Sequence, residues 1–177
     1  MARKKLIGYD LDGTLADTRQ DIVLGVQFML KEMNKPVLSA QEIERCVGEG
    51  LHHLVAMASG ENDPRILEKG ARLLRKYYEK HLLEHTCLYP QAQKLLNRFS
   101  DRIQIVITNK PEPFTSQILE GLGIMPYLKG VFTGEKGRLS GSGYSKDKAT
   151  LPLTVCDPRL LATHSPVRLN YGTVGLF

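Results

Sequence analysis

An apolar stretch that stops abruptly at two closely spaced carboxylates constrains the fold of this chain more than any other feature. Residues 5–9 form the stretch, and residues 10–14 read Asp-Leu-Asp-Gly-Thr. A short apolar run that ends in a polar turn is typical of a buried strand. Asp10 and Asp12 are two residues apart at its end, so their side chains point to the same side. Ligands of parallel sheets bind at this end of the strands.

The next part of the chain has helical rather than strand periodicity. Apolar residues recur at helical spacing from about residue 18 to residue 85, which predicts four helices. Thr18 with Asp21 is typical of the first helix start, and Ser39 with Glu42 has capping-box spacing. An Asp-Pro pair opens the fourth helix.

Strands and helices alternate after this helical part. The pattern predicts a helix over 91–99, a strand over 103–107, a helix over 114–122 and a third strand near 130–132. Such alternation predicts a parallel sheet and an α/β fold. With 177 residues, the chain is expected to form one catalytic unit.

The pattern changes beyond Glu135. Gly and Ser cluster over 137–143, and no clear strand or helix period follows. Residues 136–177 carry six Lys or Arg and two Asp, and so hold most of the net charge of +5. Scattered basic residues without interleaved aromatics are typical of a solvated surface, so we expect no nucleic-acid partner.

Membrane and secretory signals are also missing from the pattern. No apolar run approaches the roughly 18 residues that span a bilayer, and only two apolar residues follow the basic start. We therefore expect a cytoplasmic protein without a membrane partner. The three cysteines are odd in number and widely separated, which favours reduced thiols, mostly in the core.

Two adjacent carboxylates need a cation or a shared proton. Mg²⁺ accepts one or two carboxylates and completes its coordination with waters and phosphate oxygens. Asp10 is then placed to attack phosphorus and form an aspartyl phosphate. Asp12 is placed to protonate the leaving group and to activate the hydrolytic water.

Small and hydroxyl-bearing residues beside the carboxylates suit a phosphate. Gly13 allows close backbone approach, and Thr14 offers a hydroxyl and an amide. Thr108 also stands at a strand end, where its hydroxyl can bond a phosphoryl oxygen. Taken singly, each segment is equally typical of an ordinary turn or loop.

Together, residues 10–15 and 105–111 resemble the first two signature motifs of the haloacid dehalogenase superfamily. The likeness extends over roughly residues 3–135 and is greatest to the phosphoglycolate phosphatase branch. It is carried by residues 17–18, 48–51, 88–90, 108–111 and 122–124.

The resemblance implies a Rossmann-like core with a parallel sheet, built from residues 1–16 and 86–135. It implies an inserted all-helical cap over residues 17–85, followed by an atypical C-terminal tail over residues 136–177. It also implies Mg²⁺ as cofactor, with Asp10 as nucleophile and ligand. Asp12 would be the acid/base and a ligand through its carbonyl.

The resemblance further implies a set of substrate-binding residues, with Thr108 on the phosphoryl group. The cap loop beginning at Gly48 would close over the substrate, although it is equally typical of a helix terminator. The expected set is Gly13, Thr14, Gly48, Glu49, Gly50, Thr108, Asn109 and Lys110.

Two further motifs of the superfamily have no clear counterpart. The family has a lysine, expected here near Gly141, and then a strand ending in an acidic pair that completes the magnesium site. The nearest candidates are Lys136, Lys146 and Lys148 for the lysine and Asp157 for one acid. We therefore expect the tail to be a divergent, truncated or frame-shifted end.

The leading hypothesis is a Mg²⁺-dependent phosphatase acting on a small, phosphoglycolate-like metabolite. A phosphomutase with the same core is an alternative, because cap residues choose the substrate. A dehalogenase is less favoured, since those enzymes lack the second aspartate and need no metal. A catalytically inactive binding protein is the remaining alternative. The sequence does not determine the oligomeric state.

Overall fold

A computed structural model describes residues 6–135 and 138–142. In chain order the strands are β1 Leu6–Tyr9, β2 Ala16–Asp17, β3 Cys87–Leu88, β4 Ile103–Thr108, β5 Gly130–Glu135 and β6 Arg138–Ser142. The α-helices are α1 Arg19–Glu32, α2 Ala40–Glu44, α3 Leu51–Ser59, α4 Pro64–His81, α5 Ala92–Arg98 and α6 Phe114–Gly121, and a short 3-10 helix spans Met125–Tyr127.

The main sheet has the strand order β1-β4-β5-β6. β4 is parallel to both β1 and β5, with Tyr9 opposite Val106 and Thr108 opposite Thr133. Because β1 and β4 run in the same direction, the residues that follow Tyr9 and Thr108 lie at one edge of the sheet. The α/β fold with a parallel sheet, predicted from the sequence, is confirmed.

Strand β6 is a difference from the sequence prediction, which had no strand over residues 138–142. It pairs antiparallel with β5, with Val131 opposite Ser142 and Glu135 opposite Arg138. Gly and Ser make up much of this segment and are poor strand formers, so its periodicity is weak. The strand forms because its backbone pairs with β5, the preceding strand of the hairpin, and the side-chain pattern alone does not predict it.

Two short strands, β2 and β3, precede and follow the helical segment in the chain. β2 and β3 pair antiparallel, with Ala16 opposite Leu88 and Asp17 opposite Cys87. Helices α1 to α4 all lie between these strands in the chain. The assignment of residues 17–85 to a cap and of residues 1–16 and 86–135 to a core remains a prediction.

Helices α1, α3 and α4 pack closely on one another. Gly70 of α4 permits the approach, since a Cβ there would lie 2.6 Å from Val55 Cγ1 and 3.1 Å from Met33 Sδ. Met29 and Leu30 of α1 are fully buried in the apolar core that continues under the sheet. Burial of such apolar faces is the main source of helix stability in proteins.

A buried carboxylate joins the beginning and the end of this segment. Asp21 of α1 accepts hydrogen bonds from the backbone N–H groups of His85 and Thr86, at 3.1 and 2.8 Å. The Thr86 hydroxyl donates to it at 2.7 Å, and His85 Nδ1 lies 2.8 Å away. Asp21 therefore fixes the chain that follows α4 against the first turn of α1.

The capping box predicted from Ser39 and Glu42 is present at the start of α2. Thr18 does precede α1, but its side chain makes no capping hydrogen bond. Cys46 and Cys87 are free thiols, and Cys87 is exposed rather than in the core. Among the described residues, no helix is long and apolar enough to cross a membrane.

Candidate active site

A tight turn carries the paired carboxylates at the end of β1. The Leu11 carbonyl accepts the N–H groups of Thr14, Leu15 and Ala16, at 3.1 to 3.2 Å. Gly13 has a φ of 76°, a conformation that glycine adopts without the Cβ penalty. Leu11 and Leu15 are fully buried beneath the turn. The turn thereby anchors its apolar residues and leaves Asp10 and Asp12 along the cleft.

Asp10 is half-buried at the end of the strand and accepts the Leu11 N–H at 2.7 Å. Burial raises the pKa of the Asp10 carboxyl above its ordinary value, and the charge of Asp12 acts in the same direction. The Leu11 N–H, Thr108 and Lys110 oppose this rise. The site is thus one in which additional positive charge favours the ionised form of Asp10.

Asp12 is held by two side-chain donors. Its Oδ1 accepts the Thr18 hydroxyl at 2.6 Å and the Lys110 ammonium at 3.0 Å. Thr18 and Lys110 are both buried, whereas the Asp12 side chain keeps 19% of its surface exposed. The carboxylate is therefore fixed at one oxygen and open to the cleft.

Lys110 is a buried ammonium that lies between the sheet edge and α4. Its Nζ is 4.7 Å from the ring centroid of Tyr78, which in turn packs edge-on against Phe114. Burial alone lowers the pKa of Lys110, but the Asp12 carboxylate and Tyr78 more than reverse this effect. Lys110 stays charged, and its ammonium bonds Asp12 at the wall of the cleft.

The predicted phosphate-binding residues of the turn have different surroundings. The N–H groups of Gly13 and Thr14 are used within the turn, by the carbonyls of Ala16 and Leu11. The Thr14 hydroxyl is buried without a hydrogen-bond partner in the described part of the chain. Thr108 is buried at the end of β4, where the hydrogen bond between its side chain and Asp10 lowers the pKa of the Asp10 carboxyl.

The predicted cap loop reaches the sheet edge. The Asn109 side-chain amide donates to the Gly48 carbonyl at 2.8 Å, a contact between residues 61 positions apart. Gly48 and Gly50 line the cleft, whereas the Glu49 side chain is 77% exposed beside His53. Asn109 therefore contacts the loop, and Glu49 points to solvent.

A cleft of about 920 Å³ lies between the sheet edge and the helices. Its size is sufficient for a small metabolite. Most of the predicted site residues line it, together with apolar side chains of α1, α3, α4 and α6. The lining is formed by Asp10, Asp12, Gly13, Thr18, Arg19, Ile22, Glu44, Val47, Gly48, Gly50, Leu51, Leu54, Leu74, Tyr78, Tyr89, Ile107, Thr108, Asn109, Lys110, Pro111 and Phe114.

The donor set fits Mg²⁺. This ion takes one or two carboxylates and keeps several waters, so it needs no cage of protein ligands. Asp10 would supply a carboxylate and Asp12 its backbone carbonyl, as the family resemblance implies, and no cluster of three or more His, Cys, Asp or Glu with metal-site geometry occurs among the described residues. The candidates Lys136, Lys146, Lys148 and Asp157 lie outside the described residues.

Sequence reasoning missed several residues of the cleft, among them Thr18, Tyr78 and Arg19. Thr18 was assigned to a helix start, Tyr78 was not singled out, and Arg19 was not considered. The four-residue spacing of Leu74 and Tyr78 on α4 was a usable signal, since it places both on one helix face. The Thr18 contact with Asp12 had no such signal, because hydroxyls at helix starts normally cap the backbone.

These features define an α/β protein with paired aspartates at the carboxyl end of a strand, facing a cleft. The family model for haloacid dehalogenase-like hydrolases matches residues 7–139. The chain belongs to this family, as its motifs predicted.

Several similar proteins are named phosphoglycolate phosphatases. The chain is 33% identical over 138 residues to the phosphoglycolate phosphatase of Nitrosospira multiformis, covering 74% of this chain and 61% of that protein. It is 31% identical over 141 residues to that of Pseudomonas syringae, covering 74% and 51%. A predicted phosphoglycolate phosphatase from Haemophilus somnus superposes with a TM-score of 0.70 at 29% identity, covering 76% and 64%. The chain thus spans about half to three-fifths of these two curated relatives.

Proposed function

We propose that this chain is a Mg²⁺-dependent phosphatase that hydrolyses a small phosphorylated metabolite through an aspartyl phosphate on Asp10. The pairing of Asp10 and Asp12 at the end of β1, facing one cleft, carries the proposal. The phosphoglycolate phosphatase relatives support both the reaction and a phosphoglycolate-like substrate.

In the first half-reaction, an Asp10 carboxylate oxygen attacks the phosphorus and the alcohol departs. Asp10 and Asp12 would hold Mg²⁺, which supplies charge neutralisation for the phosphoryl group. Thr108, which lines the cleft at the neighbouring strand end, donates its hydroxyl to a phosphoryl oxygen. Asp12, protonated at the carboxyl oxygen that Thr18 and Lys110 leave free, gives the proton that the departing alkoxide needs.

In the second half-reaction, water attacks the aspartyl phosphate and returns Asp10 to its starting form. Asp12 takes the proton from that water. The Thr18 and Lys110 donors occupy one Asp12 oxygen, so the other oxygen is the one that exchanges protons. Lys110 thus serves as a positioning residue for Asp12 rather than as a ligand of the phosphate.

The test is phosphate release by the purified chain from 2-phosphoglycolate and 4-nitrophenyl phosphate, with and without Mg²⁺. Asp10→Asn should lower kcat by at least about a thousandfold, because removal of a nucleophile abolishes the covalent route. The matched control is Asp63→Asn at the exposed start of α4, where Asn caps as well as Asp does.

Three outcomes separate the candidates. Mg²⁺-dependent release that is lost in Asp10→Asn and kept in Asp63→Asn is the expected result. Conversion of a sugar phosphate into its isomer without net phosphate release would identify a phosphomutase. A folded chain that releases no phosphate from either substrate would contradict the proposal and favour an inactive family member.

A further inference from the structure

The cleft contains two basic side chains in the described part of the chain, Arg19 and Lys110. Lys110 is buried and bonded to Asp12. The Arg19 side chain is 56% exposed, at the first position of α1. Arg19 is therefore the described cation that a ligand in the cleft can reach.

Asp17 fixes the direction of the Arg19 guanidinium. Its two carboxylate oxygens accept from Arg19 Nε at 2.8 Å and Nη2 at 2.5 Å, and Oδ1 also accepts the Arg19 backbone N–H at 3.2 Å. A guanidinium has five N–H donors in a rigid plane. Two are used by Asp17, which leaves three without a partner among the described residues.

Arg19 lies near the proposed phosphoryl site in the fold. Its chain neighbour Thr18 bonds Asp12, and Ile22, on the same face of α1, lines the cleft beside it. Under the proposed function the phosphoryl group lies at Asp10, and Arg19 lines the same cleft, within reach of the remainder of a small substrate. Glu44 also lines the cleft, and its negative charge repels an anion. An anion is therefore bound there only if it contacts the guanidinium directly.

We propose that Arg19 is a specificity-determining residue that binds the carboxylate of the leaving group of a phosphoglycolate-like substrate. The inference rests on the proposed function for the position of the phosphoryl group. Planar guanidinium donors match the geometry of a carboxylate, and a charged pair of this kind is stronger than a neutral hydrogen bond. Asp17 uses only the Nε–H and one Nη2–H of Arg19, so the three other N–H groups can donate to a substrate carboxylate while the contact with Asp17 persists.

Binding by isothermal titration calorimetry tests this role without turnover. In the Asp10→Asn background with Mg²⁺, 2-phosphoglycolate is compared with ethyl phosphate, which has a methyl group in place of the carboxylate. The preference for 2-phosphoglycolate should be about tenfold, or about 1.4 kcal/mol. Addition of Arg19→Gln should remove it, and Arg19→Lys should retain part of it.

Arg102→Gln is the matched control, because Arg102 also pairs with a neighbouring acid, Asp101, outside the cleft. It should keep the full preference. Equal affinities for the two ligands, or a preference that survives Arg19→Gln, would overturn the role of Arg19. Absence of phosphatase activity in the unsubstituted chain would instead count against the proposed function. The role of Arg19 would still be tested by the binding preference. Failure of both ligands to bind would overturn both.

Discussion

At the scale of single residues, the contact between Lys110 and Asp12 carries both stability and chemistry. The ammonium is buried, 3.0 Å from the carboxylate and 4.7 Å from the Tyr78 ring centroid. Removal of one member of a buried ion pair leaves the other without a partner, and this costs more than the intact pair contributes. The same contact orients the Asp12 carboxyl group, which transfers protons in the proposed mechanism.

Lys110→Met should lower the free energy of unfolding by about 3 kcal/mol, the lower end for loss of a buried ion-pair partner, since Asp12 keeps partial access to water. Urea denaturation measures the change. Lys94→Met on the exposed face of α5 is the control, expected within about 0.5 kcal/mol of the unsubstituted chain. Equal stabilities of the two variants would contradict the account of the pair.

The sequence predicted the two aspartates of the site but not the contact that Lys110 makes with Asp12. Asp10 and Asp12 follow from a two-residue spacing at a strand end, which is a local signal. The partner of Lys110 is 98 residues away, and its contact depends on the parallel pairing of β1 and β4. The family resemblance, rather than a local pattern, implied that Lys110 binds substrate, and the contact of its ammonium with Asp12 was not predicted.

At the scale of elements, Asp21 joins the first turn of α1 to the chain that follows α4. Its side chain is fully buried and receives two backbone and two side-chain contacts from His85 and Thr86. Hydrogen bonds to a charged acceptor contribute about 1.5–3 kcal/mol each. The joint therefore fixes the geometry with which the helical segment meets the sheet.

Asp21→Ala should lower the free energy of unfolding by about 3 kcal/mol, because it leaves buried N–H donors unsatisfied. Thermal and urea denaturation give this value. Asp101→Ala, at an exposed site, is the matched control and should change stability by less than about 0.5 kcal/mol. A result for Asp21→Ala as small as that of the control would show that the joint is dispensable.

Elements were predictable where periodicity or capping is strong. The capping box at Ser39 and the Asp-Pro start of α4 appear where the pattern placed them. The pairing of β2 with β3 was not predicted, because strands of two residues are too short to show a period. β6 was missed because its Gly- and Ser-rich sequence is ordered by pairing with β5 rather than by propensity.

At the scale of the whole molecule, the parallel sheet brings the residues of the proposed phosphatase site together. Asp10 and Asp12 at the end of β1, Thr108 at the end of β4 and Lys110 just after it meet at one edge of the parallel sheet. The chain spans 61% of its Nitrosospira multiformis relative and 51% of the Pseudomonas syringae one. Activity of the 177-residue chain therefore tests whether these residues form a working site.

The most direct test of the central claim is the identification of the phosphorylated residue. The chain is mixed with 2-phosphoglycolate and Mg²⁺ and treated with borohydride, which reduces an acyl phosphate on aspartate to homoserine, and its peptides are sequenced by mass spectrometry. The account predicts homoserine at position 10, dependent on both substrate and Mg²⁺. An unmodified Asp10 in a chain that releases phosphate, or modification at another residue, would contradict it.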